Sequence, residues 1–379
     1  MLNTTKTLIF FYTVLTLALP VKAAVLPQDR VDIMYHAYDG GGAEIAGPSV
    51  LVLKQVGQKY AVRANYYVDS VTSASIDVIT TASPYTEERT EMSVGFDYLR
   101  DKTILSLTHS TSQENDYDAS TTSFGISQDF FGDLTTLSMG ISFGSDEVGK
   151  RGDDNFSETI DRRNYRLGLT QVITPSLILN LTAETITDEG FLNNPYRSIR
   201  YLDSNSATGY SYASEVYPET RTSDAIALRA KYYLPYRAAL KFEYRSYTDS
   251  WGISASNFEL GYIHPLDHNW TLEGRYRFYD QTSADFYSDL FAYANAQNFL
   301  ARDKELSTFS TNTLGIGITY EFNDNWAGFI EKSSLNLFWD FMQFEYEDFR
   351  DASVTAAPGE EPLYEFNANV IRFFYSVWF

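Results

Sequence analysis

The chain has 379 residues, with 50 Asp plus Glu against 29 Lys plus Arg, a formal charge of -21 and no Cys. The acidic excess argues against nucleic acid, whose binders concentrate Lys and Arg on one surface. The lack of Cys removes disulfides, thiolate metal sites and Cys nucleophiles. Aromatics reach 16%, including 29 Tyr and 26 Phe. Such rings favour the lipid headgroup level, where the body is in apolar surroundings and a polar tip stays wet.

Residues 1–23 read as a cleaved signal peptide: Lys6 is the basic start, Thr7 to Leu19 the apolar run, and Val21-Lys22-Ala23 the small-residue cleavage pattern. Pro20 ends the run after about a dozen apolar residues, too few to span a bilayer as a helix. Nowhere later do 18 consecutive apolar residues occur, so only a closed barrel of the mature chain could cross a membrane. Residues 24–379 are expected to form that single domain.

From Ala24 onward, two-residue periodicity predicts strands joined by alternately short and long connections. Val31 to Tyr38 is the first, either a strand or a plug segment, with a loop at DGGGAEIAGP. Val50 to Val56 and Tyr60 to Val68 form a hairpin at Gly57-Gln58-Lys59. After a long connection come Glu91 to Leu99, Thr103 to Ser112, Ala119 to Phe130 and Leu134 to Phe143. Asp161 to Ile173 and Leu177 to Thr187 turn at Thr174-Pro175-Ser176, ahead of the largest loop, Asp188 to Thr222. Asp224 to Leu234, Arg237 to Thr248, Ser254 to His264 and Asn269 to Tyr279 follow, with Pro in turns that need no ladder N–H. Ser307 to Phe322 turns at Asn323-Asp324-Asn325 into Leu335 to Tyr346, whose apolar face switches near Phe341. The acidic loop Glu347 to Pro362 precedes the closing strand, Glu365 to Phe379.

That last strand sets Ile371, Phe373, Tyr375, Val377 and Phe379 on one face, the pattern of a terminal strand that closes an outer-membrane barrel. Tyr375, Val377 and Phe379 are its C-terminal signal. The expected fold is all-β: a transmembrane antiparallel up-and-down barrel of about sixteen strands, fourteen being the alternative, integral to a bacterial outer membrane. Long loops would lie outside and short turns in the periplasm. A barrel this wide can hold an aqueous lumen.

The inward register of Asp224 to Tyr279 is rich in charge: Arg229, Lys231, Lys241, Glu243, Arg245, Glu259, Glu273, Arg275 and Arg277 would line one wall. Arg63, Arg166 and Arg372 also point inward, as do Asp97, Glu321 and Asp340. Two readings stay open. A basic wall facing an acidic side would orient solutes by charge, whereas a network of neighbouring Arg–Glu pairs would merely stiffen the wall. Thr282 to Lys304 carries Phe286, Leu290 and Tyr293 at helical spacing, with Ser283 as a cap and Asp285 and Asp289 alongside. Residues 282–306 are therefore read as a loop that folds inward as a constriction, or else as an extracellular cover. The six Tyr and Phe of Asp188 to Thr222 suggest a ligand surface.

The acidic runs Asp146 to Asp154 and Glu345 to Asp351 lack EF-hand spacing and read as solvated loops, so no metal is expected. Neither is a cofactor. The four His offer no Ser–His pair, which leaves no catalytic residue and no enzyme reading.

The segments SASIDVITTASPYTEERTE (from Ser73), DEGFLNNPYRSIRYLD (from Asp188), YYLPYRAAL (from Tyr232), ADFYSDLFAYANAQNFLARDKELSTF (from Ala284) and PGEEPLYEFNANVIRFFYSVWF (from Pro358) resemble the bacterial family called domain of unknown function 3570. The resemblance implies an outer-membrane location. It also implies a genomic neighbourhood with a small lipoprotein, a thioredoxin-like protein and a flavin transferase, hence an envelope redox or assembly system. Two functions follow: a pore or transport barrel for small solutes, or a non-conducting scaffold or receptor barrel that docks a lipoprotein or periplasmic partner. Outer-membrane lipid and the barrel assembly machinery are the other expected partners.

Overall fold

The computed structural model describes residues 25–73, 85–267, 269–322 and 328–379. The expected signal peptide, the turn at Asn323-Asp324-Asn325 and His268 lie outside them. The chain runs β1 (Arg30–Gly40), β2 (Ala43–Val56), β3 (Tyr60–Ser73), β4 (Tyr85–Arg100), β5 (Thr103–Gln113), β6 (Tyr117–Phe130), β7 (Thr135–Gly149), β8 (Ser157–Thr174), β9 (Leu177–Gly190), β10 (Ser198–Leu202), β11 (Tyr210–Ser214), β12 (Thr220–Tyr233), β13 (Ala239–Asp249), β14 (Ser254–Pro265), β15 (Trp270–Gln281), β16 (Phe309–Phe322), β17 (Lys332–Arg350) and β18 (Leu363–Trp378). Sixteen of these strands close a barrel, and β10 and β11 form a separate hairpin between β9 and β12. β1 pairs with β2 on one side and β18 on the other, so Val31 to Tyr38 belongs to the wall and is no plug.

Alternation fixes the two faces. In β16, Leu314, Ile316 and Ile318 are exposed on the outside while Thr311, Thr313, Gly315 and Gly317 are buried. In β18, Ile371 and Phe373 are exposed outward, and Arg372 turns inward to Asp340. Hydrocarbon tolerates the first face, and ladder bonds around a closed ring leave no strand edge to solvate.

Three expectations fail for identifiable reasons. DGGGAEIAGP is not a loop: the chain turns at Gly41 and Gly42, both with positive φ, and β2 begins at Ala43. Gly47-Pro48 sits inside β2, where the pairing with β3 skips from Ala46 to Ser49. A Cβ on Gly47 would meet the Val68 carbonyl oxygen at 1.7 Å, and Pro48 has no N–H to donate, so the residues that read as loop punctuation instead let two strands approach. Second, Phe286, Leu290 and Tyr293 lie on no helix; only a single 3-10 turn, Lys304–Leu306, occurs in that connection. Third, the connections do not simply alternate in length, because residues 41–42, 114–116 and 250–253 are tight turns on the end that also carries the long loops.

Candidate functional site

The nine charged residues predicted on β12 to β15 share one register and face the lumen. Most are neutralised by neighbours on the same wall. Arg229 pairs with Glu243 at 2.5 Å, Lys241 with Glu273 at 3.0 Å, and Arg275 with Asp340 at 2.6 Å. Arg372 reaches the same Asp340 at 2.8 Å. Arg166 and Arg245 share Glu184 at 2.7 and 3.3 Å, and Arg63 meets Asp97 at 3.1 Å. Strands lie only about 4.8 Å apart, so a guanidinium on one reaches a carboxylate one or two strands away. Eight places round the ring from β12, β13 and β14 stand β2, β3 and β4, whose inward register holds Asp69, Glu91 and Asp97 beside Arg63 and Arg89. Among the described residues, Lys231 and Glu259 make no ion pair, while Arg277 donates to Asn257 and lies along the Tyr279 ring.

Glycine makes this crossing feasible. A Cβ on Gly315 would lie 2.2 Å from Asp340 Oδ1 and 2.7 Å from the Arg275 side chain, which meet over the β16 backbone. Eight places round the ring from β15, β16 and β17 stand β5, β6 and β7. Their inward positions read Ser106, Thr108 and Ser110, then Ser123, Gly125 and Ser127, then Ser138, Gly140 and Ser142. This side is neutral and small. The pleat that carries Arg166 and Glu184 inward carries these hydroxyls inward as well.

The loop end of the barrel is capped. Arg200, on β10, is fully buried and bonds Glu361 at 2.5 and 3.2 Å and Asp289 at 2.7 Å. Asp289 also pairs with the buried Arg302 at 2.9 Å. Three separate connections, residues 191–219, 282–308 and 351–362, are thereby joined through one guanidinium. Burial alone would weaken both charges, but each partner holds the other ionised: the Glu361 carboxyl sits below its usual range, and the Arg200 guanidinium above its own. Backbone bonds reinforce the tie, Leu202 N–H to Phe291 O at 2.9 Å and Val216 N–H to Leu300 O at 3.0 Å. An apolar knot of Ile199, Phe291 and Leu300 fills the space beneath.

The predicted loop residues take different roles. Phe286 is buried with Tyr217, Trp251 and Leu306. Asp289 anchors two Arg, Leu290 is half-buried, and Tyr293 is exposed. Asp285 lies against Gly252, where a Cβ would fall 2.3 Å from its Oδ1 and where the φ of +91 itself favours glycine. Inward Phe309, Phe344 and Phe366 pack with Tyr346, Phe349 and Tyr287, which accounts for the face switch near Phe341. Of the six rings in the Asp188 to Thr222 segment, Tyr217 is core, Tyr210 lies under Arg200, and Phe191 packs on Phe156. These rings hold the cap together. Spacing could not have found Arg200 and Glu361, which stand 161 residues apart.

Beneath the cap lies a cavity of about 640 Å3, bounded by Arg162 and Asp188, by Glu243, Arg245 and Arg277 of the charged wall, and by Leu306. Gln281 Nε2 donates to Glu305 O and Ser307 O, fastening the 3-10 turn as its roof. A second cavity of about 450 Å3 lies towards the chain termini, among Arg30, Arg63, Asn65, Ser93 and Phe374. Among the described residues, no group of three His, Asp or Glu side chains has metal-holding geometry. His109 Nδ1 lies 3.0 Å from Thr122 Oγ1. At the closing strand, Tyr375 and Val377 face outward, and the Phe379 ring lies under Lys54 Nζ at 4.7 Å.

No curated protein matches the sequence. Similar solved structures include a bacterial polysaccharide outer membrane secretin (9% identity, 94% of this chain and 100% of that chain, TM-score 0.49). Another is the ferric enterobactin receptor of Pseudomonas aeruginosa (10%, 85% and 55%, 0.44), about half of whose length the chain spans. A third is the outer membrane protein opdK from Pseudomonas aeruginosa (9%, 93% and 99%, 0.42). At such scores they carry no argument about cargo. A family model described as protein of unknown function (DUF3570) matches residues 13–331, and the chain belongs to that family.

Proposed function

We propose that this protein is an integral outer-membrane barrel that passes small polar solutes, with the cap and the charged wall as its filter. One observation carries the reading: the closed ring turns apolar side chains outward and encloses cavities lined by Arg, Glu, Ser and Thr. Residues 282–308 supply the constriction, since their 3-10 turn roofs the larger cavity. Purified protein in planar bilayers is expected to conduct ions. Arg277→Glu, which removes the lumen guanidinium without a carboxylate partner, should shift the reversal potential towards cation preference.

One feature favours a receptor or scaffold barrel instead: three loops at the mouth are tied together by buried ion pairs, as a rigid docking face would need. Electrical silence, together with co-purification of a lipoprotein or periplasmic partner, would establish that reading.

A further inference from the structure

The larger cavity has a chemistry of its own. It mixes both signs in near balance: Arg162, Arg221, Arg245 and Arg277 stand against Asp188, Glu243, Glu259, Asp303 and Glu305. Some of these are saturated, as where Arg221 clamps Asp249 with two bonds. Others keep free valence. Among the described residues Glu259 makes no hydrogen bond or ion pair, Asp188 Oδ1 is buried without a hydrogen bond, and Arg277 spends only its Nε, on Asn257. Arg245 is 41% exposed and touches Glu184 at 3.3 Å. Planar donors and planar acceptors thus alternate round one chamber, each offering two parallel bonding directions.

A filter for ions concentrates one sign along its path. This lumen does not. Below the cap, the side opposite β15 to β17 presents Ser, Thr and Gly without a charge from Ala119 to Gln128 or from Leu134 to Ser145. Neutral hydroxyl groups gain nothing from a net field, yet they need many donors and acceptors at once, because a polar group that enters a chamber unpaired costs about 1–3 kcal/mol. A cavity of about 640 Å3 also falls within the range of about 300–1,000 Å3 that suits a small organic ligand.

We infer that the chamber beneath the cap binds a neutral, hydroxyl-rich solute of oligosaccharide type, with Glu259, Arg245 and Arg277 supplying bidentate contacts and Asp188 a single one. The inference rests on the solute-passing reading, but its test separates the two. Full-length barrel in detergent is titrated calorimetrically with raffinose, and the same protein in liposomes is assayed for swelling in isosmotic raffinose, sodium glutamate and lysine hydrochloride. Raffinose should bind, and Glu259→Gln with Arg277→Gln should weaken it about tenfold or more, the equivalent of roughly 1.4 kcal/mol, while the barrel's β-sheet spectrum is retained. Swelling should be fastest in raffinose after correction for size. Absence of raffinose binding, binding unmoved by the two substitutions, or faster swelling in either charged solute would overturn the inference. If no solute causes swelling, the pore reading falls, and calorimetry still decides the ligand class.

Discussion

At the scale of the residue, Arg200 decides the state of the mouth. Removing its side chain leaves Glu361 a buried carboxylate without its cation, while Asp289 keeps Arg302, and breaking a buried pair in this way costs about 3–5 kcal/mol. Arg200→Ala is therefore expected to speed limited proteolysis within residues 191–219, 282–308 and 351–362 and to raise single-channel conductance. Arg200→Met combined with Glu361→Gln should recover part of the protection, because it removes charge of both signs. Gly315→Ala makes a different demand. The added methyl would collide with Asp340 and Arg275, so lower yield of folded, heat-modifiable barrel is expected, whereas Gly57→Ala meets no neighbouring atoms and pays only for a positive φ. Side-chain direction on the wall, Arg275 and Arg372 inward, could be read from the period of two. Their shared partner Asp340 could not be deduced, since which carboxylate serves two guanidiniums depends on strand register.

At the scale of the element, the strands were legible and the connections were not. Alternation in Tyr60 to Val68 or Leu314 to Ile318 is strong because one side meets hydrocarbon and the other water. The 282–308 connection offers no such contrast. Its apolar residues answer to three separate clusters, so their helical spacing is accidental. The same element carries a pH dependence. Burial pushes the Asp303 carboxyl up to about 7, although the Arg197 guanidinium lies 2.6 Å away and draws it down. A raised carboxyl means that the folded cap holds the proton more tightly than the unfolded loop does. Its contribution to cap stability is thus fully present below the ordinary value of 3.8 and is lost as pH rises through about 7. Proteolysis of residues 282–308 should accelerate over that window, and Asp303→Asn should flatten the profile. A profile of the same slope in the variant would assign the dependence to another group.

At the scale of the whole molecule, the barrel wall has an apolar outer face and a polar inner one, which meet different solvents. The chain contains no Cys, so single substitutions can report those solvents one position at a time. Ser127→Cys and Ser142→Cys place a partly exposed thiol on the lumen face, and Leu314→Cys and Ile316→Cys place one on the outer face. Barrel reconstituted in lipid vesicles is treated with a small, charged, membrane-impermeant maleimide, and labelling rates are compared with those in denaturant. The lumen positions should label and the outer positions stay protected until the lipid is removed. Labelling of Leu314→Cys with protection of Ser142→Cys in intact vesicles would contradict the water-filled lumen and the functions built on it.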